Sequence, residues 1–332
     1  MPDCCRKAIF SNMLGRLRSL LPPSSLLNDG RLLPAQWALP QQRHALREHV
    51  ETVAAPGTVY IVKPDAGSQG KGIYLTPSPC GRGGISDGPY ARPAVVQEYI
   101  ANPLLLDGLK FDLRLYVLIT SVGGLGDEDR PLRAFLYREG MVRFAVQPYQ
   151  GADLKHRHAH LTNYSLNKNS KGFALSEDSD GGEGSKRTLS AVFASLQASG
   201  QLVDVDGLWG RIAELVSRSL VIMQPLLACA RGQWAQNPCF QILGFDVLLD
   251  EQAQPWLVEI NDHPSLRIDH VAYLPPDPSS GRQHHEAIES LSAVDEVRMC
   301  MCMWCHERVP SACSYARGVE RRASRCAPGN GL

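Results

Sequence analysis

The chain has 332 residues, is 44% hydrophobic and 20% charged, and so is long and apolar enough for two or three packed layers; a disordered or fibrous chain is excluded. Lys plus Arg and Asp plus Glu number 34 each, so overall charge points to no nucleic acid, membrane or acidic partner, and local patches must carry any such preference.

The opening "MPDCCRKAIFSNMLGRL" lacks the apolar core of a signal peptide. No run approaches the roughly 20 apolar residues of a membrane helix, so no membrane span is expected. The ten cysteines are irregularly spaced and read as reduced thiols of a cytosolic protein. Residues 1–55 read as helix and loop: "RKAIFSNMLGRLRSLL" has helical spacing, "PPSS" stops it, and "LPAQWALP" is an extended, Pro-bounded link. From "TVYIVKP" onward strands take over. "VYIV" is a short buried run, "KGIYLT" follows a glycine-rich turn, and "AVVQEYI" and "KFDLRLYVLITSV" come next. "LRAFLYREGMVRFAV" is expected to be a hairpin turning at Glu139-Gly140. Residues 169–188, rich in Ser, Gly, Asp and Lys, read as a mobile surface loop. "LSAVFASLQASG" and "LWGRIAELVSRSLVIMQPLLACA" are amphipathic helices, the second a central packing helix despite Pro225. A two-stranded segment follows, and after about residue 276 the chain becomes Pro-, Ser- and Arg-rich without periodicity.

That segment, "GFDVLLDEQAQPWLVEINDHPSL", sets acids into runs that otherwise read as buried strand. Pairing residue 250 with 255 places Asp246 across from Glu259, with Asn261, Leu248 and Leu257 on the same face. Phe245, Val247, Leu249, Trp256, Val258 and Ile260 form the apolar opposite face. Facing carboxylates repel unless wet or neutralised, and a hard divalent cation prefers these carboxylate and amide oxygens. A solvent-facing polar strand is the competing explanation.

Three further segments suggest a nucleotide site. In "VYIVKPDAGSQGKGIYL" a strand delivers Lys63 to a loop with Gly67, Ser68, Gly70 and Gly72, whose backbone N–H groups can approach a polyphosphate. The pattern is neither a Walker loop nor a dinucleotide fingerprint, because a strand follows it, and an ordinary polar hairpin is the alternative. Lys110, Asp112 and Arg114 alternate on one strand face, as in a lined cleft or a silent salt-bridge ladder. "HAHLTNYSLNK" gathers His160, Thr162, Asn163, Tyr164 and Lys168 in a short polar segment that is otherwise a plain turn. Arg143 in "GMVRFAV" lies beside these or is a surface charge.

In order and wording, "IVKPDAGSQGKGI", "VVQEYIANPLLLDGLKFDLRLYVLITS", "REGMVRFAV", "HLTNYSLNK" and "CFQILGFDVLLDEQAQPWLVEINDHPSL" resemble the tubulin tyrosine ligase-like family, most closely its polyglutamylase branch. The resemblance runs from about residue 34 to about 268. It implies an α+β, ATP-grasp fold in which two α+β subdomains clasp ATP between mainly antiparallel sheets. Residues 1–55 would be the remnant of an N-terminal domain with its linker, 56–100 a central lid subdomain, 101–275 the catalytic subdomain, and 276–332 a divergent, poorly ordered tail.

The resemblance also implies roles. Lys63 would contact the ATP phosphates, with Gln69, Gly70, Lys71 and Gly72 over them. Gln97, Glu98, Tyr99 and Ile100 would frame the adenine. Lys110, Phe111 and Asp112 would complete the pocket, with Thr162 and Asn163 beside the phosphates. Arg114 would face the phosphoryl group, with Lys63 the other catalytic cation. Arg143, Tyr164 and Lys168 would hold glutamate, and Asp246, Glu259 and Asn261 would bind Mg2+. The implied chemistry is ATP-dependent ligation of free L-glutamate to a glutamate side chain in the acidic tubulin tail, through an acylphosphate. Partners would be tubulin and microtubules, in a cytoplasmic, cytoskeletal monomer of the cilium or flagellum axoneme and basal body. The alternatives are a ligase of the same fold using glycine, tyrosine or a non-tubulin acceptor, and a non-catalytic tubulin-binding relative. The sequence departs from the family's pattern at Lys71, in place of a common arginine, and at Asp262 and His263 before Pro264-Ser265. "MCMCMWCHERV" offers Cys300, Cys302, Cys305 and His306, but not the paired spacing of a structural zinc module. Arg317, Arg321, Arg322 and Arg325 read as a solvated basic run.

Overall fold

Two antiparallel sheets organise the protein. The computed structural model describes residues 2–22, 25, 27, 30–65, 70–80, 93–124, 127–151, 154, 156–163, 167, 184–231 and 240–265. Apart from Phe240, these belong to one unit made of residues 1–233 and 241–265. Of the expected loop over 169–188, residues 169–183 lie outside the described residues, while its end, Lys186–Thr188, is a strand and not loop; the tail beyond 265 with its cysteines and arginines also lies outside them.

After a 3-10 turn at Pro2–Cys5 comes helix α1 (Lys7–Leu20), then β1 (Gln36–Leu39), α2 (Arg43–Thr52), β2 (Tyr60–Pro64), β3 (Tyr74–Thr76) and β4 (Ala94–Glu98). These strands form a sheet in the order β1-β4-β2-β3. The segment "LPAQWALP", expected as a link, is therefore the edge strand β1, with Gln36 opposite Gln97. Trp37, Leu39, Tyr60, Val62 and Val96 pack with Leu46 of α2 on one face.

The larger sheet is built from β5 (Leu105–Leu106), β6 (Leu109–Gly124), β7 (Asp127–Phe144), β8 (Lys186–Thr188), β9 (Gln241–Leu249) and β10 (Pro255–Asn261). Its order is β10-β9-β6-β7-β8, with β5 pairing to β6. Helices α3 (Arg157–His160), α4 (Leu189–Ala198) and α5 (Val205–Arg231) complete the fold, which is α+β. Alternation sorts β6 cleanly: Leu113, Leu115, Val117 and Ile119 enter the main core, whereas Lys110, Asp112 and Arg114 face away from it. Phe245, Val247 and Leu249 of β9 share that core with Leu208, Ile212, Leu215 and Met223 of α5 and with Val192 and Leu196 of α4.

Helix α5 runs through Pro225. Contrary to the expectation of no membrane-length run, Val205–Cys229 is long and apolar enough to span a bilayer by length and composition. Here its buried side covers the sheet.

The expected hairpin at Glu139-Gly140 does not form. Strand β7 runs through both residues, and the chain returns from β6 farther out, where Gly124 pairs with Asp127. A Cβ on Gly140 would sit 2.5 Å from the Arg114 carbonyl oxygen, so this glycine serves close backbone approach rather than a turn. Glu139 caps α4 instead: its Oε1 accepts from the backbone N–H groups of Leu189 at 2.9 Å and Ser190 at 3.2 Å. Gly140→Ala is expected to destabilise the protein by about 1–3 kcal/mol, the range for overpacking, read as a lower denaturation midpoint. An unchanged midpoint would show that the two strands can part at no penalty.

Candidate active site

The polar faces of the two sheets line a common cleft. Strand β2 turns Tyr60 and Val62 into the small core and Ile61 and Lys63 into the cleft. From β4 and the residues after it come Gln97, Glu98, Tyr99 and Ile100; from the large sheet come Lys110, Asp112, Arg143, Asp246 and Glu259. Thr162 and Asn163, which follow α3, line the same space. The structure thus gathers most of the residues singled out from the sequence.

Charge is concentrated here with little water. The Lys63 ammonium is 6% exposed; it donates to Gln97 Oε1 at 2.7 Å and to the Val258 carbonyl at 3.3 Å. Burial lowers its pKa to about 8, and the nearby Glu259 carboxylate offsets only part of that. Burial likewise lowers Lys110 to about 7. Arg143 stands opposite Asp112 across the β6–β7 ladder; it donates to Asp112 Oδ1 at 2.9 Å and also contacts Oδ2. It reaches Asp246 Oδ2 at 2.8 Å as well. Arg114 grips Asp246 from the other side, Nε to Oδ1 at 2.5 Å and Nη2 to Oδ2 at 3.1 Å. Burial by itself would raise the Asp246 carboxyl, but Arg143 and Arg114 outweigh it and hold the pKa at about 2. Gly244 makes this grip possible: Arg114 Cδ lies 3.2 Å from where a Cβ would be.

Asp246 does stand opposite Glu259 on β10, as the sequence pairing requires, but the register nearer the turn is one residue off. Pro255 pairs with Leu249 and Leu257 with Val247, so Leu257 joins the core rung and Trp256 the Leu248 rung, the reverse of the expected faces. A bulge at Val258 restores the pairing of Glu259 with Asp246. Lys63 donates to the carbonyl of this bulge residue. Asn261 lies opposite Gly244, and its amide nitrogen is buried with no hydrogen-bond partner among the described residues.

Other expected residues fall less neatly. Gly70 and Gly72 have φ of 75° and 74°, and the Gly70 carbonyl accepts from Arg157 Nη2 at 2.9 Å, while Lys71 is exposed. Phe111 does not face the cleft: strand alternation turns it to the core, 1% exposed, with its ring 5.5 Å from that of Phe144. Gln69, Tyr164 and Lys168 lie outside the described residues.

The N-terminal helix contributes residues that the motifs did not single out. Lys7 Nζ donates to Glu259 Oε1 at 2.6 Å. Arg6 pairs with the Asp65 carboxylate at 2.5 Å, and the Ala8 N–H donates to the same group at 3.0 Å. The first turn of α1 thereby ties β10 to the end of β2. A legible signal existed: two cations begin this helix with no acid in its first turn, which the helix dipole disfavours unless carboxylates arrive from elsewhere.

Among the described residues no group of three His, Cys, Asp or Glu side chains could hold a metal ion. The cluster at β9–β10 is of another kind, two carboxylates on one rung and an amide two residues on that can offer its oxygen; the atom of that amide without a partner among the described residues is its nitrogen, a hydrogen-bond donor and not a metal ligand. All-oxygen donors of this type fit a hard divalent cation that keeps waters or phosphates as its remaining ligands. In this structure Asp246 is matched by Arg114 and Arg143, and Glu259 by Lys7.

A cleft between two antiparallel sheets, lined by two buried lysines, an arginine and carboxylates, is the charged centre of this α+β fold. The tubulin-tyrosine ligase family matches over residues 4–274, and the chain belongs to that family. It is 38% identical over 289 residues to the mouse (Mus musculus) tubulin polyglutamylase TTLL11, covering 83% of this chain and 37% of that protein. It is 35% identical over 277 residues to mouse tubulin polyglutamylase TTLL6, covering 81% and 30%. To a probable beta-tubulin polyglutamylase of Tetrahymena thermophila it is 35% identical over 278 residues, covering 81% and 22%. The chain therefore spans well under half the length of these curated relatives.

Removing the Asp246 charge leaves two buried guanidiniums facing each other. Asp246→Asn is expected to destabilise the fold by about 3–5 kcal/mol at pH 7, as for a broken buried ion pair. The folded pKa of about 2 lies below the usual 3.8, so the wild-type advantage is full above about pH 4 and is lost as pH falls toward 2. Denaturation of both proteins from pH 2.5 to 7 checks this; a difference independent of pH would contradict it.

Proposed function

We propose that this protein is an ATP-dependent carboxylate–amine ligase that adds glutamate to the side-chain carboxylates of glutamates in tubulin tails. The single observation that carries the reading is the set of buried cations Lys63, Lys110 and Arg143 lining a cleft together with Asp246 and Glu259, with Arg114 held against Asp246. Family membership and the names of its relatives support the same conclusion.

In this reading ATP enters with its adenine along Gln97, Glu98, Tyr99 and Ile100, and its phosphates meet Lys63, Lys110, the Gly70-Lys71-Gly72 loop with Gln69, and Thr162 and Asn163. Asp112 orients Arg143. Asp246, Glu259 and Asn261 hold Mg2+, which when bound neutralises phosphate charge and lets the carboxylates share a rung. Lys63 and Arg114 stabilise the charge of the γ-phosphoryl group as it passes to the acceptor carboxylate, giving ADP and an acylphosphate. Arg143, Tyr164 and Lys168 hold free L-glutamate. Its amine attacks the acyl carbon, the C–N bond forms, phosphate leaves, and the amine proton is released. Catalysis is positioning and charge neutralisation, with no protein nucleophile. The acceptor is the acidic tubulin tail, which sets the protein on microtubules of the cytoskeleton, including those of cilia and basal bodies, as a monomer.

The test is incubation with ATP, Mg2+, tubulin and separately labelled amino acids. Incorporation of glutamate alone supports the proposal, incorporation of glycine or tyrosine replaces it with a sister activity, and tubulin binding without incorporation makes the protein a non-catalytic relative. Glu259→Gln is expected to abolish incorporation while the protein stays folded, its melting temperature lowered only by the lost Lys7 ion pair; wild-type turnover would remove Glu259 from the site.

Lys110 adds a pH signature. The ammonium form is the phosphate partner, so ATP affinity is expected to fall as pH rises from 6 to 9, through the pKa of about 7. Lys110→Arg keeps its charge and flattens the profile, leaving only the contribution of Lys63. Nucleotide titrations across this range measure both, and equal slopes would count against the assignment.

A further inference from the structure

Lys110 is buried in the cleft wall, yet among the described residues its one hydrogen bond goes to a neutral group, the Tyr99 hydroxyl, at 2.8 Å. Asp112, two residues on and on the same strand face, is taken by Arg143. The ammonium is instead cradled by ring faces: 4.4 Å from the centroid of Tyr99 and 5.9 Å from that of Tyr149. The Tyr99 hydroxyl is in turn held by His160 Nδ1 at 2.9 Å. His160 is 2% exposed, and its ring meets both tyrosines edge-on, at 5.7 Å and 5.3 Å. Tyr149 is anchored through its own hydroxyl, which donates to the Ala101 carbonyl at 2.7 Å.

The chemistry of this arrangement differs from that of the neighbouring cations. A carboxylate partner fixes a lysine but cancels its charge. A hydroxyl, an imidazole and two π faces fix it and leave the charge to attract something else. Burial also pushes the Tyr99 phenol well above its usual pKa, so the hydroxyl keeps its proton and stays neutral at all working pH values. With one N–H bonded to Tyr99, the ammonium has others to offer into the cleft. A four-carbon stem would otherwise sample many rotamers, so the holder removes an entropic penalty from ligand binding.

We propose that Tyr99 and His160 are positioning residues that hold the Lys110 ammonium toward nucleotide phosphate, His160 acting through the Tyr99 hydroxyl. The proposal rests on the nucleotide reading of the cleft and adds two side chains to it. It separates the part of Tyr99 that lies along the adenine segment from its hydroxyl, which serves the phosphate end.

The experiment measures equilibrium binding of ATP and the steady-state KM for ATP and for glutamate in the full chain, with melting temperature alongside. Tyr99→Phe removes only the hydroxyl and is expected to weaken ATP binding about tenfold, the scale of one charge-assisted hydrogen bond. The KM for ATP should rise in step, and by more than the KM for glutamate. His160→Leu is expected to do the same. His160→Asn, whose amide can meet the Tyr99 hydroxyl near the place of Nδ1 as donor or acceptor, is expected to recover most of the loss. Wild-type ATP affinity in Tyr99→Phe and His160→Leu overturns the positioning role while leaving the nucleotide reading intact. A fall in kcat with equal rises in both KM terms, or no recovery with asparagine, overturns it too, as the mark of a merely structural contact. Failure of the wild-type protein to bind ATP at all overturns the nucleotide reading and this proposal with it.

Discussion

Asp246 lies at 3% exposure between two guanidiniums, and the rest of the site depends on that balance of buried charge. A carboxylate so placed would rather be neutral, and an arginine so placed would rather be in water. Together they remain charged, and each fixes the other's position. Arg143 serves Asp112 as well, so β6, β7 and β9 are linked side by side by ion pairs on one face while aliphatic packing holds the other. Lys63, Lys110 and Arg143 line the cleft with Glu98, Asp112, Asp246 and Glu259, and Arg114 and Lys7 pair with Asp246 and Glu259. Buried charges of both signs, so fixed, set up a strong local field.

That field persists because the strands keep their two faces separate. Leu113 and Leu115 in the core and Lys110 and Asp112 in the cleft are consequences of one alternation, and a slip of one residue would exchange them. Strand β10 shows how narrow the tolerance is. Its register near the turn is one residue away from the one that faces Glu259 with Asp246, and the bulge at Val258 absorbs the difference. Glycines at 140 and 244 act in the same sense, by giving room to the Arg114 backbone and to its side chain.

Helix α1 makes the cleft a joint property of both sheets. Lys7 reaches Glu259 on the large sheet, while Arg6 and Ala8 reach Asp65 at the end of β2 in the small one. Lys63 crosses the same gap to the Val258 carbonyl. The two halves of the site are thus connected by ion pairs and hydrogen bonds that a polyanionic ligand would compete for and rearrange, rather than by a continuous apolar seam.

By itself the sequence determined the parts that depend on local periodicity and residue chemistry. Lys110, Asp112 and Arg114 on one face, Asp246 across from Glu259, and Lys63 at a strand end before a glycine loop were all legible, because alternation and donor type are properties of a few neighbouring residues. Tertiary structure decided whatever depends on partners distant in the chain. Gly140 resembles a turn residue until the Arg114 carbonyl is seen where its Cβ would be. Phe111 sits inside a site motif but belongs to the core through Phe144. Lys7 and Glu259 are 252 residues apart, and nothing in either segment names the other. Whether a charged side chain is solvated, paired or left free for a ligand is a matter of which groups surround it in space, and only the folded chain settles that.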